Sequence, residues 1–159
     1  MHLFMLFCFF AAIACPLFGT FAHVGAYDQS AISDIVSSQC QATSLALTAA
    51  STLPQGAITG ALDVLLISTG ANPGNQTTRT AAQMYADLTA ALGFQPQNGF
   101  QYFLRIVHQG AGTLTLVAGT GVSLGTGTTS IATTGNRDYV VTVNSPTSIT
   151  IQTTGSGSA

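Results

Sequence analysis

From Phe100 onward, apolar and small polar residues alternate, and Gly or Asn clusters interrupt the alternation at close intervals. Successive side chains of a strand point to opposite faces, so this period of two predicts strands with one buried face. Tyr102, Leu104 and Ile106 then share one face, with Gln101, Phe103, Arg105 and Val107 on the other. Tyr139, Val141 and Val143 alternate with Val140 and Thr142 in the same way. The pattern predicts strands near residues 101–108, 113–118, 122–124, 128–132, 138–143 and 148–152. An earlier strand is predicted at Asp63–Ser68 (DVLLIS), closed by the turn-rich run TGANPGN from Thr69 to Asn75.

One stretch changes period. Over Ala81–Leu92, Met84, Leu88 and Ala91/Leu92 fall on one helical face. Thr80 with Gln83 forms a T-A-A-Q capping box, and Gly93 stands where a left-handed C-cap belongs. A single short amphipathic helix needs an apolar surface to lie on, which the strands supply. Short strands with turn signals every ~8–12 residues predict a mainly β fold. The expected architecture is an antiparallel β-sandwich or jelly-roll-like barrel with one amphipathic helix packed on it.

Four segments are expected. Residues 1–22 form a hydrophobic leader whose run 3–22 suits a signal peptide, with Thr20-Phe21-Ala22 as a small-x-Ala site. It also suits an anchor near the needed ~20 residues, interrupted by Pro16 and Gly19, or an extension not native to the module. Residues 23–60 read as an arm or linker, 61–152 as the β-rich module, and 153–159 (TTGSGSA) as a flexible tail.

Composition narrows the partners. Only 5% of residues are charged; five Asp and three Arg occur, with no Lys and no Glu. A formal charge of −2 leaves no basic footprint for nucleic acid. High apolar content with low net charge also argues against disorder. Few charges and many β-formers favour edge-to-edge pairing, hence an oligomer. Cys8, Cys15 and Cys40 are read as forming no disulfide framework and lacking metal-ligand spacing, hence as small apolar residues with a spare thiol.

Motifs with a chemical reading are few. Gly121-Val122-Ser123-Leu124-Gly125 matches the G-x-S-x-G nucleophile elbow, but Thr126-Gly127-Thr128 cannot readily start the helix behind it. No His follows Ser123 to complete a triad in that order. Gly119, Gly121 and Gly125 resemble a phosphate loop without its helix or Lys, so turn chemistry is preferred. His2, His23 and His108 are scattered, and His108 reads as a solvated or capping strand end. Arg105, Arg137 and Asp138 read as surface or interface ion pairs. Phe94, Phe100, Tyr102 and Phe103 read as core filling rather than a stacking platform, and Asn75-Gln76-Thr77 is a glycosylation sequon. No catalytic, cofactor-binding or metal-ligating residue is singled out, and no enzyme activity or cofactor is expected.

Three segments carry a resemblance: LALTAASTLPQGAITGALDVLLISTG, QTTRTAAQMYADLTAALG, and FQYFLRIVHQGAGTLTLVAGTGVSLGTGTTSIATTGNRDYVVTVNSPTSITIQ. From about Ala42 to Gln152 the chain resembles a recurrent module of tailed-bacteriophage virion proteins, of the capsid-decoration, head-fibre or tail-fibre type. The resemblance implies a non-enzymatic virion surface protein, oligomeric, with a trimer as one form. Its partners would be capsid or tail proteins and its own copies, with a host-surface glycan as an open further ligand. Residues 1–41 depart from the pattern. A genuine signal peptide would instead favour a secreted or cell-surface bacterial adhesin, touching membrane only through residues 3–22.

Overall fold

A computed structural model describes residues 40–158. The expected leader and the expected arm up to residue 39 lie outside the described residues. In chain order the strands are β1 (Cys40–Leu45), β2 (Ser51–Thr52), β3 (Asp63–Ser68) and β4 (Gly74–Thr77). Helix α1 (Ala81–Leu92) follows. Then come β5 (Phe100–His108), β6 (Leu114–Val117), β7 (Val122–Leu124), β8 (Ser130–Ile131), β9 (Gly135–Ser145) and β10 (Ser148–Ser158).

The strands form a larger sheet of order β1-β3-β5-β9-β10-β7 and a smaller one of order β2-β4-β6-β8. The mainly β, sandwich-like fold with one helix is thus as the alternation predicts. Pairing within the sheets differs from an antiparallel sandwich. Of eight neighbouring pairs five are parallel and three antiparallel. The reason lies in the turns. Those after β1, β3 and β5 do not reverse the chain beside itself; they carry it across to the other sheet. A strand therefore meets its sheet neighbour one winding later, running the same way.

The register gives the size of each winding. Cys40 lies opposite Asp63, 23 residues on, and Ser51 opposite Gln76, 25 on. The next winding is longer: Asp63 lies opposite Phe103 and Gly74 opposite Leu114, each 40 on. The added length holds α1.

Where successive windings turn the same corner, backbones approach too closely for a side chain. A Cβ on Gly70 would sit 1.8 Å from the Leu47 carbonyl oxygen, and one on Gly110 1.9 Å from that of Gly70. Backbone bonds tie the corners together: Thr69 N–H donates to Leu45, Gln109 to Ser68 and Asn72 to Ala111.

Between the sheets, Val64, Leu66, Tyr102, Leu104, Ile106, Tyr139, Val141, Val143, Ile149 and Ile151 meet Leu53, Leu114, Leu116 and Ile131. The period-two faces predicted for β5 and β9 are those observed. α1 adds Ala81, Met84 and Leu88 to this core. Its ends follow the capping signals. Thr80 Oγ1 accepts from Gln83 N–H (3.3 Å), Thr80 N–H donates to Gln83 Oε1 (3.2 Å), and Gly93 adopts φ 73°.

Two stretches read as linker or tail carry structure instead. Residues 40–60 supply β1, β2 and the buried Leu53, Ala57 and Ile58. Residues 153–158 continue β10, paired to Gly135–Tyr139 past a register shift between Thr153 and Gly155. Cys40 is disulfide-bonded, which corrects its reading as a small apolar residue or spare thiol. No helix among the described residues is long and apolar enough to cross a membrane.

Candidate functional site

The chain leaves α1 through Gly93 and makes a short, tightly held loop before β5. Tyr85 donates its hydroxyl to the Pro96 carbonyl (3.1 Å), Phe100 N–H donates to Gln97 O (2.9 Å), and Gly99 N–H to Val143 O (2.7 Å). Gly99 takes φ 86°, a conformation that strains any residue with a Cβ. This loop frames an open recess of about 530 Å³ lined by Phe94, Gln95, Gln97, Asn98 and Phe100. Phe94 and Phe100 meet edge to face, with ring centroids 6.1 Å apart and an interplanar angle of 77°. Phe100 packs against the core, whereas Phe94 is 52% exposed.

These aromatics qualify the core-filling expectation. Tyr102 is fully buried, as expected, and donates its hydroxyl to the Ile58 carbonyl (2.8 Å). Phe94 and Phe103 are exposed and fill no core. For Phe103 the signal was in the alternation itself, which puts it opposite Tyr102 and Leu104. For Phe94 it was the position one residue past the helix cap.

Phe103 stands on the outer face of the larger sheet, 57% exposed. On that face Phe103 is in register with Asp63 and Val140, Leu65 with Arg105, and Ile67 with Val107. Arg105 and Asp138, also paired in register, form a bidentate ion pair: Nε to Oδ1 2.6 Å and a second nitrogen to Oδ2 2.9 Å. The hydrogen bonds and charge of Asp138 raise the Arg105 pKa above its usual value. Burial raises that of Asp63, opposed by the charge of Arg105 and reinforced by that of Asp138.

The other candidates are dispersed. Ser123 is exposed on edge strand β7, in register with Thr150, which pairs with Thr142 and so with Gln101. His108 lies seven residues further along β5 than Gln101, roughly 23 Å away, and on the opposite face. The elbow match therefore gathers no histidine among the described residues. Of its glycines, only Gly121 needs a positive φ (77°). Gly119 answers close approach instead, since a Cβ would meet the Thr78 backbone oxygen at 2.5 Å; at Gly125 a Cβ would meet only the movable end of the Gln152 side chain, at 1.9 Å. The fold does bring a helix start beside these glycines, but Thr120 O already accepts from Ala81 N–H (2.9 Å), so a carbonyl stands where an anion would sit.

His108 is not a solvated strand end; it is fully buried, its Nδ1 3.3 Å from the Ser68 hydroxyl and its Nε2 without a partner. The cause is the even spacing that puts it on the inner face with Leu104 and Ile106. Arg137 also turns inward and donates to Ser130 O (2.9 Å). Asp87, on α1, is buried in an ion pair with Arg79 and accepts from the Thr59 hydroxyl (3.4 Å), a partnership no sequence spacing announced. Asn75 of the sequon is exposed on β4. The described residues hold no cluster of His, Cys, Asp or Glu suited to a metal.

No family model, curated protein or solved structure matches this chain.

Proposed function

We propose that the protein is a non-enzymatic structural component of a phage particle, a capsid decoration or fibre subunit, that works through protein–protein assembly. The observation that carries this reading is the outer face of the larger sheet. Phe103 is exposed there beside the half-buried Leu65, Ile67, Val107 and Val140, with Arg105–Asp138 as its central charged pair. An exposed apolar patch rimmed by polar groups suits association with another protein surface. The chain has no Lys or Glu with which to blunt its sheet edges, so edge pairing with further copies or with a lattice is also favoured. The phage-module resemblance supplies the setting, and the segments that carry it fall within the described β unit.

Immunogold labelling and gradient sedimentation of particles from the producing host test the reading. The expected result is co-sedimentation of the full chain with particles in fixed stoichiometry. Its recovery only from the medium or the cell envelope would overturn the virion reading in favour of a secreted or cell-surface adhesin.

A further inference from the structure

We infer that the recess between Phe94 and Phe100 is a binding subsite for an uncharged pyranose of a surface glycan. The inference goes beyond the assembly reading and does not depend on it.

Three observations combine. First, an edge-to-face pair engages at most one face of each ring, and Phe94 is still 52% exposed, so a face of that ring is open to solvent. That open face is available to cover the apolar side of a ligand. Second, Gln95, Gln97 and Asn98, all exposed, line the recess together with that ring. Each amide offers an acceptor oxygen and two donor hydrogens, which matches the paired donor and acceptor character of vicinal hydroxyls. Third, no titratable side chain lines the recess. A sialic acid, uronic acid or phosphate would lose hydration there without meeting a counter-charge, which disfavours it.

Aromatic surface for the apolar C–H face of a sugar, with neutral amides at its rim for the hydroxyls, is the combination a neutral pyranose needs. The volume of about 530 Å³ is within the ordinary span for small-ligand sites, about 300–1,000 Å³. The loop is also held in place beforehand by the bonds from Tyr85, Gly99 and Phe100, so little ordering is left for the ligand to impose.

Isothermal titration of the full chain with neutral oligosaccharides, and with sialylated and uronic-acid-containing ones as a contrast, tests this. Expected is binding to at least one neutral oligosaccharide and none to those ending in an acidic sugar. Phe94→Ala should weaken that binding about tenfold or more, at a stability cost of no more than the lost ring contact with Phe100. Gln97→Ala should weaken it by a smaller factor with an unchanged thermal midpoint, since its side chain is exposed. Failure of all neutral sugars, preference for the acidic ones, or undiminished binding by Phe94→Ala would each overturn the assignment. Particle association would be unaffected by these results, so the two readings fail separately.

Discussion

Tyr102 and Tyr139 both point between the sheets from neighbouring strands, yet their hydroxyls are treated differently. Tyr102 donates to the Ile58 carbonyl (2.8 Å), whereas Tyr139 Oη is buried with no partner. A buried hydroxyl without a partner costs stability, and a carbonyl that loses its donor does too. Tyr102→Phe should therefore lower stability by about 1–2 kcal/mol. Tyr139→Phe should leave it unchanged or raise it by up to about 1 kcal/mol. Denaturant melts of both variants would decide; an equal loss in the two would refute the contrast. Burial also pushes the Tyr139 pKa up from 10.0 to about 12, against a smaller opposing pull from Arg137, and Tyr102 shifts the same way. A folded-state pKa raised above the unfolded one means the folded chain keeps its proton longer. The associated stability is complete below pH 10.0 and is lost as pH rises toward about 12. Alkaline titration followed by circular dichroism should show this loss, and Tyr139→Phe should reduce it. Such hydrogen-bond differences were not legible in the sequence, because both tyrosines obey the same period-two pattern.

At the scale of elements, α1 was legible because its signals are local. The Thr80–Gln83 box and Gly93 lie within the helix's own termini, and the observed bounds are those they predict. Thr80→Ala should cost about 1 kcal/mol, read from the denaturation midpoint, with no shift counting against the cap. What anchors the helix was not local. Asp87 reaches Arg79 and Thr59, and its removal would strand a half-buried guanidinium; Asp87→Ala should cost about 3 kcal/mol by the same measurement. Of the short strands, β7 and β8 fall where alternation predicts them, whereas β2 and β4 escaped for a similar reason. β4 contains Gln76, which the sequence offers only as the middle of a glycosylation sequon but which is fully buried, its amide held by the Ala49 carbonyl and the Ser51 hydroxyl. These two partners belong to the preceding winding, some 25 residues away, and the Pro73 carbonyl is its local one. The end of β10 is written in Gly, Ser and Thr, so no side-chain alternation reveals a strand held by backbone pairing.

Across the molecule, winding explains why strand content was readable and strand direction was not. Alternation reports which face is buried, but the same pattern serves a hairpin and a strand that crosses to the other sheet. The available clue was the recurrence of Gly-Ala after β3 and again after β5, at Gly70-Ala71 and Gly110-Ala111, 40 residues apart like the strands themselves. The same winding places Phe103 on a continuous outer face, in register with β3 on one side and β9 on the other. That position separates assembly from folding. Phe103 contributes little to the core at 57% exposure, so Phe103→Gln should leave the thermal midpoint within about 0.5 kcal/mol equivalent of the parent. If the face is a docking surface, the same substitution should lower the mass measured by light scattering or prevent binding to purified particles. A variant that associates as fully as the parent would show that the contact is made elsewhere, with the sheet edges at β1 and β7 next to be tested. Loss of fold would instead show that the ring supports the sheet, contrary to its exposure.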